Sequence, residues 1–425
     1  MKHRLSAMAA LTACLLALPA TARPPKDYYQ VPGTESFIQF YGNACFDLVY
    51  DAVQAGGVMA GLGAADPKVP DDARPRNQWD MTIAESRLGA RTITPSPYGE
   101  IRTRFEMDFV GSNRPDAGTP PPPSGERQNY AHVRQMYGEC NGWLAGKTDS
   151  NFEDPDGSPT CLDWEGLLAD WFGATRIPQL RHTSQLNPRT TLSVALEQDC
   201  LVDIGGSNPA SHASTTRGSD LPGAVTARLQ VAEAWGHISF AGAYVRYSQF
   251  QDTFVAANTP GGAPTAGTTS RHTLGACSWA LAGHFQFGPD SLVYHLGLGN
   301  GQYGANLQDH AAWAQDHSVR LVQARQAEVG YTHFWTPKVR SNLFASYVGY
   351  ARDANTGMTG SAFQSYRQCG GNAIWNLTAT MQYGVECLYG VARTFDAGQI
   401  RNPDLSTTDR VHEAKLHFQF KYLFN

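Results

Sequence analysis

The connections between strand-like segments alternate strictly between short and long along the whole chain, and few folds tolerate that. Segments with strand character lie at about residues 37–50, 82–94, 99–110, 128–140, 142–150, 176–183, 190–199, 225–234, 236–250, 273–287, 290–303, 319–334, 338–350, 370–378, 380–394 and 408–424, sixteen in all. Every second link is a brief turn, such as "PSPY" at 95–98, "GPD" at 288–290 and "TPK" at 336–338. The others are long and rich in Gly, Pro, Asp and Ser, such as "GTPPPPSGERQ" at 118–128 and "NTPGGAPTAGTTSR" at 258–271. One end of such a sheet carries large loops and the other only hairpins. A closed transmembrane barrel with an even strand number is built this way, whereas a soluble sandwich has no reason to sort its loops.

The strands themselves are two-faced. In "GEIRTRFEMDF" the even positions are Glu100, Arg102, Arg104, Glu106 and Asp108, and the odd ones are Ile101, Thr103, Phe105, Met107 and Phe109. Successive strand side chains point to opposite faces, so one face is fully charged and the other nearly apolar. In a soluble sheet the charged face would meet bulk water and the apolar face a core; in a membrane barrel the apolar face meets lipid and the charged one lines a wet lumen. The first strand repeats the pattern, with Ile38, Phe40, Ala44, Phe46, Leu48 and Tyr50 against Gln39, Asn43, Cys45, Asp47 and Asp51. The last sets Leu416, Phe418, Phe420, Tyr422 and Phe424 against Glu413, Lys415, His417, Gln419 and Lys421, with Asn425 following the final aromatic.

The chain opens with Lys2, His3 and Arg4, an apolar run from Leu5 to Leu18, and "PATAR", whose Ala20 and Ala22 form a signal-peptidase pattern. Residues 1–22 are therefore expected to be an export signal, although "LTAC" ending at Cys14 also fits a lipoprotein processing site. Residues 23–35 would be a short periplasmic segment and 36–425 the barrel. Beyond the leader no uninterrupted apolar stretch approaches the ~20 residues of a membrane helix, so the chain is soluble or crosses as a closed barrel. The formal charge of -5, which loses Lys2 and Arg4 on processing, argues against nucleic acid as a partner. Beyond Cys14 there are Cys45, Cys140, Cys161, Cys200, Cys277, Cys369 and Cys387, an odd number with no Cys-x-x-Cys pair. By phase Cys277 and Cys387 lie among apolar residues, while Cys200 and Cys369 fall at loop edges where they could be bridged.

The segments "SRLGARTITPSPYGEIRTRFEMDFVG" (86–111), "HVRQMYGECNGWLAGKTDSNFED" (132–154), "RIPQLRHT" (176–183), "LGLGNGQY" (296–303), "YTHFWTPKVRSN" (331–342) and "GVECLYGVART" (384–394), in this order and spacing, make the chain resemble the DcaP-like porins. These are trimeric sixteen-stranded channels of Gram-negative outer membranes. The resemblance covers nearly the whole chain beyond the leader. It implies an outer-membrane location, passive diffusion of small hydrophilic solutes, and a leaning toward anions such as dicarboxylates and aromatic carboxylates. Some members carry a helical N-terminal segment; residues 23–36 leave no room for one, so a homotrimer would rest on barrel contacts alone.

Phase assigns Arg87, Arg91, Arg102, Arg104, Arg134, Lys147 and Arg181 to the lumen, a basic wall that would suit carboxylates through paired N–H donors. The link 151–175 holds Glu153, Asp154, Asp156, Asp163, Glu165 and Asp170 and no Lys or Arg. In trimeric porins the third long loop folds inward, and an acidic loop facing a basic wall would set a transverse field across the constriction. The arginines could instead simply neutralise Glu85, Glu100, Glu106 and Asp108 beside them.

Enzymatic patterns are weak. "GNGQYG" at 299–304 ends a strand and opens no helix. "HEAKLH" at 412–417 misses the zinc-protease spacing and lies on a strand. No Gly-x-Ser-x-Gly elbow occurs. The sequence is thus that of an all-β chain, a sixteen-stranded antiparallel transmembrane barrel with an inward-folded constriction loop, acting as a porin without enzymatic activity, cofactor or metal, in contact with outer-membrane lipid and small anionic solutes. A soluble secreted all-β binding or surface protein is the alternative.

Overall fold

The computed structural model describes residues 26–53, 76–111, 130–163, 166–167, 176–198, 204–205, 212–213, 218–250, 253–254, 270–300, 303, 311–313, 319–351, 363–396, 400–401 and 407–424. Residues 1–25, with Cys14 and the expected export signal, and also Cys200, lie outside the described residues.

Sixteen strands form one closed antiparallel sheet. They are β1 (Phe37–Val53), β2 in two halves (Arg76–Thr82 and Arg87–Ser96), β3 (Gly99–Gly111), β4 (Tyr130–Cys140), β5 (Trp143–Asp149), β6 (Arg176–Asn187), β7 (Thr190–Glu197) and β8 (Gly218–Glu233). The second half comprises β9 (Gly236–Phe250), β10 (Ser270–Phe287), β11 (Asp290–Asn300), β12 (Gln323–Thr336), β13 (Val339–Ala351), β14 (Phe363–Asn376), β15 (Met381–Thr394) and β16 (Arg410–Phe424). Each strand pairs with its sequence neighbour, and β1 closes the barrel on β16 from Gly42↔Phe424 to Val53↔Ala414. Closure leaves no open sheet edge, which a strand protein in hydrocarbon cannot carry. Ahead of β1, Tyr29 and Gln30 pair with Ile38 and Phe37.

Every strand expected from the sequence is present; β8 starts at Gly218 rather than 225, and two further differences stand out. The second is split: Arg76–Thr82 pairs with the upper part of β1 and Arg87–Ser96 with the lower, and residues 83–86 leave the ladder. Ser86 replaces the missing backbone bonds there, accepting from Cys45 N at 2.9 Å and donating to Cys45 O at 3.2 Å, and this excursion carries Glu85 into the interior. Second, β14 begins at Phe363 rather than 370. Its first residues, "FQSYRQC", have no apolar face for a pattern search to detect. Cys369 therefore sits inside a strand, not at a loop edge, and is free and exposed.

The burial pattern is inside out. Large apolar side chains such as Phe46, Leu88, Met136, Phe240, Trp279 and Leu343 are exposed on the outer surface, while Asp47, Glu106, Asp108, Glu197, Glu386 and Lys415 are buried within. That is the polarity of a barrel whose solvent outside is lipid. Around the short-turn end stand Tyr98, Trp143, Trp235, Phe287, Trp335 and Tyr383, all exposed, as befits amphipathic rings at a membrane–water boundary.

Sidedness gives a direct expectation for the thiols. Cys277, Cys369 and Cys387 are free and exposed on the outer face, whereas Cys45 is buried. In bilayers a lipid-soluble maleimide should label the first three and a charged, membrane-impermeant one should not, with Cys45 unreactive to both until unfolding. Equal labelling of Cys387 by the charged reagent would contradict the assignment.

Candidate functional site

The lumenal wall of β1–β6 is organised around Tyr41. Its hydroxyl donates to Glu106 Oε2 at 3.0 Å and accepts from Arg104 Nε at 2.9 Å, while Arg104 Nη2 reaches the same carboxylate oxygen at 2.7 Å. The Arg91 guanidinium lies over the Tyr41 ring, 4.4 Å from its centroid, a cation–π contact that fixes the charge in place. Register makes the convergence: Arg91 pairs with Arg104 across β2 and β3, and Gln39 of β1 pairs with Arg91. A shift in the β3–β4 ladder between Glu106 and Met107 leaves Arg134 unpaired in the ladder. This bulge turns its guanidinium to Glu106 Oε1 at 3.1 Å and Asp108 Oδ2 at 2.8 Å.

Neutralisation accounts for only part of the basic wall. Arg102 pairs with Glu100 near the rim, and Arg104 and Arg134 share Glu106 and Asp108. Among the described residues no carboxylate lies within salt-bridge distance of Arg87, Arg91 or Arg181. Arg91, Arg102 and Arg104, with Tyr28, Tyr137 and Glu139, line a cavity of about 260 Å³. A neighbouring recess of about 540 Å³ brings Arg102 and Arg181 together with Glu100 and Glu139. Lys147 does not join them. It pairs with Met136 and Pro178, on the strand phase opposite to Leu144 and Thr148, and its ammonium donates to Val133 O at 2.7 Å. The alternation in β5 is too short and too polar to reveal that phase from the sequence.

The link after β5 folds into the barrel and runs along the opposite wall, held by buried carboxylates that the strands provide. Glu197 of β7 accepts from Ser150 Oγ at 2.7 Å, Asn151 N and Tyr303 OH. Arg228 of β8 donates to Glu153 O. Beyond the single 3-10 turn at Pro155–Gly157, Asn372 of β14 donates to Thr160 O at 2.8 Å. Glu386 of β15 accepts from Leu162 N at 2.7 Å and Asp163 N at 3.0 Å. Gly384 admits this approach, because a Cβ there would lie 2.7 Å from Leu162.

The loop's own carboxylates mostly turn into the wall. His237 Nε2 lies 2.8 Å from Asp154 Oδ2, to which Ser239 Oγ donates at 2.7 Å. Lys415 Nζ donates to Asp163 Oδ2 at 3.2 Å. Glu153 is buried, and Asp156 is exposed; Glu165 and Asp170 lie outside the described residues. The expected face-to-face field is therefore uneven, since Asp154 and Asp163 are spent on anchoring. Tyr41, Glu197 and Glu386 are site residues outside those expected from the sequence. Tyr41 could have been found from its inward phase in β1; the two glutamates could not, because nothing local says where a loop lands.

Burial disfavours the charge on Asp154, but the His237 and Ser239 hydrogen bonds outweigh it and hold the carboxyl below the usual carboxylate range. A lowered pKa stabilises the anchored loop fully above the ordinary aspartate value of ~3.9, and that stability is lost as pH falls through the folded value. As Asp154 takes up a proton, open-channel current noise should thus rise below about pH 3.9. An Asp154→Asn channel should be noisy at all pH values, and noise unchanged in both cases would remove Asp154 from the anchor.

Residues 27–221 match the family described as DcaP outer membrane protein. No curated protein matches the chain in sequence. Among solved structures, the outer membrane channel DcaP of Acinetobacter baumannii superposes with a TM-score of 0.73 at 20% identity, covering 93% of this chain and 99% of that one. The trimer form of OmpT from Vibrio cholerae gives 0.51 at 12% identity, over 92% and 99%. An anion-selective porin from Comamonas acidovorans gives 0.50 at 9% identity, over 92% and 100%. Residues 27–221 are thus similar to the DcaP outer membrane protein family, and the chain is folded as a sixteen-stranded antiparallel barrel of the kind seen in outer-membrane porins.

Proposed function

We propose that this porin passes small anionic solutes, carboxylates foremost, by passive diffusion through a lumen whose selectivity is set by Arg91, Arg102, Arg104 and Arg181. The observation that carries the reading is the convergence of Arg91, Arg102 and Arg104 on one cavity while Asp154 and Asp163 are tied to the facing wall. A guanidinium matches a carboxylate through two parallel N–H donors, and confinement between low-dielectric walls raises the local anion concentration. Residues 151–175 act as the constriction loop, 23–35 as a periplasmic lead-in, and the working unit is a homotrimer. The anion-selective and trimeric porins of the same fold support both choices.

The test is current blockade by a dicarboxylate. Succinate added to a reconstituted channel should interrupt the current in brief resolved events, and an Arg91→Gln/Arg104→Gln double variant should lose them. Blockade that is equal in both proteins, or produced equally by a dication of the same length, would overturn the reading.

A further inference from the structure

We infer that the outer surface of β12–β14 holds a binding site for a membrane lipid with an anionic, phosphorylated headgroup in the outer leaflet. Arg325 and Arg367 project from the outer face near the long-loop ends of β12 and β14, and both are exposed. Each guanidinium carbon lies 5.8 Å from the ring centroid of Tyr347 on the strand between them. Arg325 Nη2 also donates to the Tyr347 hydroxyl at 3.4 Å. Among the described residues neither arginine has a carboxylate within salt-bridge distance.

Two uncompensated charges on the lipid-facing side of a barrel are costly unless they stand at the membrane boundary beside an anion. The long-loop end is the outer-leaflet end, so the charges meet headgroups there. Tyr347 holds both at fixed positions by cation–π contact, and its phenol folds over Gly349, where a Cβ would lie 2.2 Å from the hydroxyl.

An apolar groove adjoins the pair. Cys277, Trp279, Leu298, Gly349 and the stem of Arg325 line a hollow of about 480 Å³ on the same outer face. Trp279 pairs with Leu298, and Leu298 with Arg325, so groove and guanidinium share one ladder row. A groove that is apolar along its floor and cationic at one edge fits an acyl chain attached to a phosphate. It does not fit a free phosphate, which has no use for the hollow.

The test uses the full-length protein in detergent and lipid A, a phosphorylated glycolipid, as the probe, with bound lipid counted by native mass spectrometry. The native protein should retain lipid A and not phosphatidylcholine. An Arg325→Gln/Arg367→Gln variant should retain it about tenfold less or weaker still, since two charge-assisted contacts are lost. An Arg325→Lys/Arg367→Lys variant, which keeps the charge, should fall between. Heat-modifiable migration confirms that each variant is folded. Equal retention by the glutamine variant would overturn the site, and displacement of lipid A by millimolar inorganic phosphate would overturn the lipid assignment. Dissociation of the native oligomer in the glutamine variant would show the surface to be a contact between copies of this chain, and would overturn it as well.

Discussion

A Glu386→Ala channel conducts more ions per opening than the native one and unfolds at a lower temperature. Glu386 is 1% exposed and receives three hydrogen bonds, from Leu162 N, Asp163 N and Asn372 Nδ2 at 2.9 Å. Removing the carboxylate leaves two backbone N–H groups without an acceptor in the interior, at about 1–3 kcal/mol each. The far end of the loop then keeps only the contacts of Asn372 with Thr160 O and of Lys415 with Asp163, and the weak 3.3 Å contact from Gln419 to Leu162 O, among the described residues. A loop released at that end no longer lies against its wall, and the lumen's narrowest section changes. Single-channel conductance together with the temperature of heat-modifiable migration checks both halves of the expectation. A native conductance in a folded Glu386→Ala barrel would mean that the loop does not define the constriction.

The second large effect concerns charge. An Arg91→Gln/Arg181→Gln channel shifts its reversal potential toward cation preference, and by more than Arg102→Gln does. Arg91 and Arg181 have no carboxylate at salt-bridge distance among the described residues, so their loss is uncompensated inside the lumen. Arg102 is 61% exposed and paired with Glu100, so its field is already offset and is screened further by salt within about 10 Å. Equal shifts would mean that selectivity is set at the rim.

How much of this was legible beforehand differs by feature. Strand number, order and face polarity follow from period-2 alternation and loop lengths, because a lipid-facing barrel needs one apolar face on every strand. The polar start of β14 and the excursion at 83–86 break that rule, and both escaped. Arginine positions on β2 and β3 were readable for the same reason, and Arg134 kept its inward aim only through a bulge that no local pattern signals. Lys147 shows the limit: in a seven-residue strand the alternation does not tell that the ammonium ends on Val133 O. The anchoring of the loop by Glu197 and Glu386 is a long-range pairing between residues far apart in the chain, and so was invisible.

The central claim is that the arginine wall, and not the acidic loop, sets the field in the lumen. Reversal potential across a planar bilayer under a potassium chloride gradient tests it most directly. The account predicts a potential of the sign set by chloride; a potential of the potassium sign would contradict it.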